Sequence, residues 1–359
     1  MKKIGIVTFH DAKNYGAVLQ GYALQKTIQD IGRECEIVNY RCKSIINGYK
    51  PFQFKKSDPV KSVLKSLLLF RKRANRIRQF ESFYNGYLNV SKKTYDSDTV
   101  KNCKNDYYKF ISGSDQVWGA GAKGVNPDSA YFLGFADDNQ KYSYAASFGT
   151  ADIPDEKVPV IRELLKGFQS FSVREDSAVD IVRKTTGQTA QVNIDPTFLV
   201  PSEQWRSIAK VKEKTPYILV FNVKPVKSMV EFAAKLSKEK NIPVIYITDI
   251  PHKKREGFTF LSAPTVEEFI GYFLNAEYVV TNSFHGTAFS VIFHKNLFVE
   301  YDTAQGRNNR AENLLDRLAI KREIKNGEAK ETEIDWEKVD EIISEERQKS
   351  IEYLTKITE

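Results

Sequence analysis

Six short polar runs in this chain stand where an apolar, strand-like stretch gives out: residues 10–16, Gly113-Ser114-Asp115-Gln116, Ser147-Phe148-Gly149, Arg174-Glu175, Asp195-Pro196-Thr197 and residues 282–287. Ligands gather at the carboxyl ends of strands in open parallel sheets, because loops and helix N-termini expose unpaired N–H groups there. Such groups suit an anion. His285 adds a side chain that changes charge near neutral pH, and it sits where an apolar strand gives way to a small-residue helix, so its imidazole can reach the crevice. Each run also has a plainer reading. Asn14 and Gly16 suit a turn, Ser114 or Asp115 a helix cap, and His285 a packed or capping histidine. His294, beside Lys295 near a helix end, reads as a surface residue.

Alternating strands and helices must position these runs. Strands are expected at 4–9, 35–40, 108–111, 141–146, 170–173 and 190–194, with helices at 155–167 and 176–185. Counted this way, the polar runs of the first half follow the first, third, fourth, fifth and sixth strands. Ala17, Gly21, Leu24, Ile28 and Ile31 fall on one helix face that Gly32 can end, which makes the first two strands parallel neighbours. A second series begins after Pro201, with strands at 217–222, 244–248, 258–261, 278–281 and 297–301. Thr265 and Glu268 form a capping box. The reading is one domain over 1–205, a second over 206–334, and a charged helix over 335–359 that packs back across both.

Composition bounds the rest. A chain of 359 residues, 41% hydrophobic and 28% charged, exceeds one core and matches globular usage. No stretch suits a spanning helix or a signal peptide, so a cytoplasmic location is expected. Cys35, Cys42 and Cys103 lack metal or redox spacing and read as reduced thiols, and His10, His252, His285 and His294 form no metal pattern. No metal site is expected. The net charge of +8 favours a phosphate-bearing or membrane-surface partner. Between Lys61 and Arg78, seven basic residues interleave with Val63, Leu64, Leu67, Leu68 and Phe70. This reads first as a helix with a solvated basic face, with docking on anionic lipid at the inner membrane surface as the alternative; nucleic acid is not indicated.

Six blocks in order carry a family resemblance: Asn14-Tyr15-Gly16-Ala17 with Leu19-Gln20, Gly113 through Trp118, Ala145 through Gly149, Ser172-Val173-Arg174-Glu175, Ile194-Asp195-Pro196-Thr197, and Thr281 through Thr287. Together they resemble the polysaccharide pyruvyltransferases. The resemblance implies an α/β fold of two Rossmann-like domains facing a cleft, glycosyltransferase-B-like. It implies transfer of pyruvate from phosphoenolpyruvate to two hydroxyls of one sugar, making a cyclic ketal on a capsule or exopolysaccharide precursor whose carrier, lipid or nucleotide, stays open. No cofactor is needed beyond this donor substrate. His285 is then the catalytic candidate with Asp115 second, and Arg174 the donor binder. Asn14, Gly16, Ser114, Gln116, Asn282, Ser283 and Gly286 complete the expected substrate contacts. Many members have Arg where this chain has Ser283, so Arg307 and Arg310 are nominated as replacements. Two rivals remain: a nucleotide-sugar glycosyltransferase on the same fold, and a catalytically silent sugar-binding protein.

Overall fold

A computed structural model of the protein describes residues 3–54, 58–120, 126–224, 226–249, 253–301 and 309–359, with the side chains at 59–61 and 309 outside that description. In chain order the first half runs β1 (Lys3–Val7), α1 (Tyr15–Asp30), β2 (Cys35–Tyr40), α2 (Lys43–Tyr49), α3 (Pro59–Tyr87), β3 (Val90–Tyr95), β4 (Tyr107–Ser112), β5 (Lys141–Ser143), α4 (Val158–Leu164), β6 (Ser172–Val173), α5 (Asp176–Thr186), β7 (Gln191–Val192) and α6 (Ser202–Ile208). The second runs β8 (Ile218–Phe221), α7 (Lys227–Lys240), β9 (Val244–Ile247), β10 (Phe258–Leu261), α8 (Val266–Asn275), β11 (Tyr278–Thr281), α9 (Phe284–Ile292), β12 (Asn296–Val299), α10 (Asn309–Arg317) and α11 (Trp336–Thr358).

The described residues form two five-stranded parallel sheets, ordered β3-β2-β1-β4-β5 and β10-β9-β8-β11-β12. Both are the same doubly wound pattern, with the order reversing beside β1 and beside β8, where crevices open at strand ends. The fold is therefore two Rossmann-like halves. β6 and β7 pair with each other and extend the first sheet beside β5 through parallel bridges such as Ala146 to Val173.

The strand at β3 was not expected. Its burial alternates poorly, with three consecutive exposed residues in Val90–Tyr95, so the period-two signal of a half-buried strand is absent. Its presence makes the Gly113 run follow the fourth strand. The strand expected at 141–146 is shorter, because Ala145 takes a φ of 44° and turns the chain out of the ladder. The capping box on α8 forms as expected, with both Thr265 and Glu268 side chains closing on the backbone.

The halves share one apolar core. The Tyr15 ring stacks on Phe269 at 4.1 Å and its hydroxyl donates to Pro264 O at 2.7 Å, while Trp205 packs edge-on to Phe289. α11 touches both halves: Tyr353 donates to Ser143 O of β5 at 3.0 Å, and at its other end Trp336 stacks on His294 in the turn between α9 and β12, and the His294 ring bonds Asp340. Among the described residues no helix is long and apolar enough to cross a membrane.

Leu354 of α11 is fully buried in this shared core. Leu354→Ala is expected to cost about 2–5 kcal/mol of stability in urea denaturation. A loss below about 1 kcal/mol would show that α11 is not an integral part of the core.

Candidate active site

β1 ends at Val7, and the loop after it delivers Asn14 as the N-cap of α1, its Oδ1 accepting the Ala17 amide at 3.3 Å. Gly16 follows, in the first turn. A Cβ there would lie 2.0 Å from His285 Nδ1, so only glycine lets the first helix of one half approach the imidazole of the other. Gln20, one turn on, ties two loops together: its Nε2 donates to Thr8 Oγ1 at 2.8 Å and its Oε1 accepts the Ser114 amide at 3.0 Å.

Beyond β4 the chain does not enter a helix, so Asp115 is not a helix cap. It holds a φ of 72°, accepts the Gln116 amide, and lies 3.6 Å from Arg174 Nη2 and 3.8 Å from Arg310 Nη1. Arg174 follows β6 and is buried; its Nη1 donates to Asp195 Oδ2 at 2.6 Å, and its Nε stands 3.6 Å from Glu175. Asp195, fully enclosed, also faces His285 Nε2 at 3.6 Å and accepts the Thr197 amide and hydroxyl. The Phe284 ring lies under both guanidiniums, at 4.5 Å from Arg174 and 5.7 Å from Arg310. The structure thus brings Gly16, Asp115, Arg174 and His285 together, with Arg310 from α10.

Other nominated residues are spent on the scaffold. The Ser114 hydroxyl donates to Ala145 O at 2.7 Å, and Asn282 clamps the loop after β8 by accepting from Val223 N and donating to Lys224 O. Ser283 caps α9, and its acceptor role consumes the Gly286 amide at 3.2 Å. The Gly286 amide is therefore not open to a ligand, and the unpaired amides at this helix start are those of Phe284 and His285. Gln116 packs against Gly149, where an added Cβ would meet its side chain. Arg307 lies outside the described residues, as does His252. Three site members were given no role from sequence: Asp195, Glu175 and Phe284. The sequence signal for Asp195 was present, since it opens a polar run after an apolar stretch.

Charge in this cluster is uneven. Burial alone would push the Asp195 carboxyl up, but facing His285 and Arg174 outweigh it and hold it well below the usual carboxylate range. Burial would likewise weaken the Arg174 cation, yet Asp195, Glu175 and Asp115 raise its affinity for the proton above the usual value. Arg310 has the opposite balance: burial and the neighbouring Arg174 lower it. Four buried nitrogens here have no hydrogen-bond partner: Arg174 Nε and Nη2, Arg310 Nε and His285 Nε2. Arg174, Asp195, Phe284 and Arg310 line one crevice. The three guanidinium nitrogens among them are buried, charged, unpaired N–H groups, which suit an acceptor-only anion such as a carboxylate or phosphate. Among the described residues no group of three His, Cys, Asp or Glu could hold a metal ion.

Removing Asp195 leaves Arg174 buried without its one hydrogen-bonded carboxylate. Asp195→Ala is expected to cost about 3–5 kcal/mol in urea denaturation at pH 7. Because the folded carboxyl is depressed, its contribution is complete above its ordinary value of 3.8 and is lost as pH falls below that. The gap between parent and variant should therefore narrow in acid. Equal stability at pH 7 would show that the pair contributes nothing net.

Among curated proteins, none matches the chain significantly by sequence. Solved structures resemble it in fold at low identity. The UDP-GlcNAc 2-epimerase of Methanocaldococcus jannaschii is 11% identical with a TM-score of 0.41, covering 95% of this chain and 91% of that one. S. aureus MnaA, solved with UDP, is 11% identical at 0.49, covering 96% and 88%. The E. coli heptosyltransferase WaaC, solved with ADP, is 12% identical at 0.40, covering 96% and 99%. At these scores the likeness carries no functional argument. The family comparison does: residues 14–300 match the polysaccharide pyruvyl transferases, a span that includes β2 through β12 and every site element except Arg310, and the chain belongs to that family.

Proposed function

We propose that the protein transfers pyruvate from phosphoenolpyruvate to two hydroxyls of one sugar, forming a cyclic ketal on a cell-surface polysaccharide precursor. The observation that carries this reading is the set of unpaired buried N–H groups on Arg174 and Arg310 beside His285. Phosphoenolpyruvate presents a carboxylate and a phosphate, and both need such partners when removed from water. Arg310, 3.8 Å from Asp115, brings a second guanidinium to a cluster in which Ser283 supplies none, which supports its nomination as the replacement.

In the proposed reaction the methylene carbon of the enol takes up a proton, and a sugar hydroxyl attacks the adjacent carbon. Phosphate leaves, and the second hydroxyl bonds the same carbon. Each hydroxyl gives up one proton, so one ends on the new methyl group and one on phosphate. No electrons change hands, and no redox group is required. His285 moves a proton at the acceptor, Arg174 and Arg310 hold the donor's charge, and Asp195 orients both the imidazole and the guanidinium.

Incubation with phosphoenolpyruvate and candidate glycan precursors is expected to yield a pyruvylated glycan by mass spectrometry together with free phosphate. His285→Ala should lower that turnover about a hundredfold or more while leaving the far-ultraviolet circular dichroism spectrum unchanged. Release of a nucleotide instead would point to a glycosyltransferase. Near-normal turnover in a folded His285→Ala variant would place the proton transfer elsewhere.

A further inference from the structure

The positive charge of this chain is not spread over its surface. Residues 43–80 carry 11 Lys and Arg against Asp58 alone. Since the whole chain has 54 basic and 46 acidic residues, the remainder holds 43 and 45 and is nearly neutral. The same segment gathers the exposed apolar side chains. Of the nine large hydrophobic residues exposed among the described residues, six fall here: Phe52, Phe54, Leu64, Leu67, Leu68 and Phe70. Leu67 is 63% and Leu68 74% exposed, on a helix whose partners elsewhere bury such residues.

Helical spacing sorts these groups. Leu64, Leu67 and Leu68, followed by Arg71, recur at intervals of three and four on one outward stripe of α3. Lys65 and Lys72, seven residues apart, border that stripe and also line a cavity of about 600 Å³ between α2, α3 and the loop after β9. Arg73 and Arg76 line it as well, although each already has a partner. Arg73 donates to Pro51 O, while Arg76 donates to Lys13 O and pairs with Asp249. Those last bonds tie α3 to the loop after β1 and to the loop after β9. The Ser66 hydroxyl exchanges hydrogen bonds with both backbone groups of Gln53, which fixes the segment bearing Phe52 and Phe54 beside the helix.

A face that is apolar along its crest, basic along its border and backed by a basic cavity matches one kind of surface. We propose that the α2–α3 face docks on an anionic phospholipid bilayer. Leu64, Leu67 and Leu68 enter the acyl boundary, and the cavity bordered by Lys65 and Lys72 takes a headgroup phosphate. Lipid explains both features together. A solvated basic helix would explain the charge but not the exposed leucines, and a buried protein contact would explain the leucines but not the excess of 11 basic residues over one acid in the segment.

Cosedimentation of the full chain with vesicles tests this without reference to turnover, so it stands apart from the transferase reading. The parent should pellet with vesicles containing phosphatidylglycerol and remain in solution with pure phosphatidylcholine. A combined Leu64→Ser, Leu67→Ser, Leu68→Ser variant should bind the anionic vesicles at least tenfold more weakly with an unchanged circular dichroism spectrum, because the replaced side chains are exposed. Lys65→Gln with Lys72→Gln should also weaken binding and reduce its sensitivity to salt. Failure of the parent to pellet with anionic vesicles overturns the proposal, as does equal binding by the serine variant. So does a parent dimer, seen by sedimentation velocity, that the serine substitutions convert to a monomer while vesicle binding is absent: the occupant would then be a second copy of the chain.

Discussion

A carboxylate with no exposed surface is an expensive thing to bury, and Asp195 is tolerated because the Arg174 guanidinium and the His285 imidazole face it from two directions. Arg174 reaches it from the end of β6, and His285 from the start of α9 in the other half. The single anion thereby joins the carboxyl ends of both sheets. Everything else in the cluster follows from that pairing: Arg174 spends one nitrogen on Asp195 and has its other two left over, and the imidazole is drawn toward the junction between the halves. Glu175 and Asp115 stand at 3.6 Å, close enough to favour the guanidinium's charge and too far to satisfy its N–H groups.

The scaffold keeps this arrangement narrow. Gly16 allows α1 to approach the His285 ring, and Tyr15 beside it stacks on Phe269 and bonds Pro264 of the second half. The residue pair thus welds the halves at the point where the chemistry would occur. Ser114, Asn282, Ser283 and Gln20 each spend a polar atom on closing a loop or a helix start. These polar side chains lie beside the crevice because a turn at a strand end leaves many backbone groups unpaired, and short side chains satisfy them most economically.

That distinction marks what a sequence can and cannot reveal here. The strands at 258–261 and 278–281 were legible because their apolar runs stop at turn residues, that at 35–40 because it follows a helix that Gly32 ends, and the α8 start because a capping box is a local signal. β3 was hidden, since an edge strand with exposed residues in sequence carries no burial rhythm. In the site, strand-end position singled out the runs that hold Asp115, Arg174 and His285, and the family resemblance gave Arg174 and His285 their expected roles. They could not separate Ser283 and Gly286, which bond each other, from residues with free polar atoms. Nor could they reveal that Asp195 pairs with both Arg174 and His285, because partners 21 and 90 positions apart are set by topology alone.

In the proposed reaction the two unspent nitrogens of Arg174 are a fork for the donor's anionic groups. Lysine at this position would keep the charge facing Asp195 but would lose the fork. The most direct measurement is calorimetric titration of phosphoenolpyruvate into the parent and into Arg174→Lys, alongside urea denaturation of each. Saturable binding to the parent is expected, with affinity at least tenfold weaker in a variant that still folds. Equal affinity in the two proteins would contradict it, as would a parent that binds no phosphoenolpyruvate.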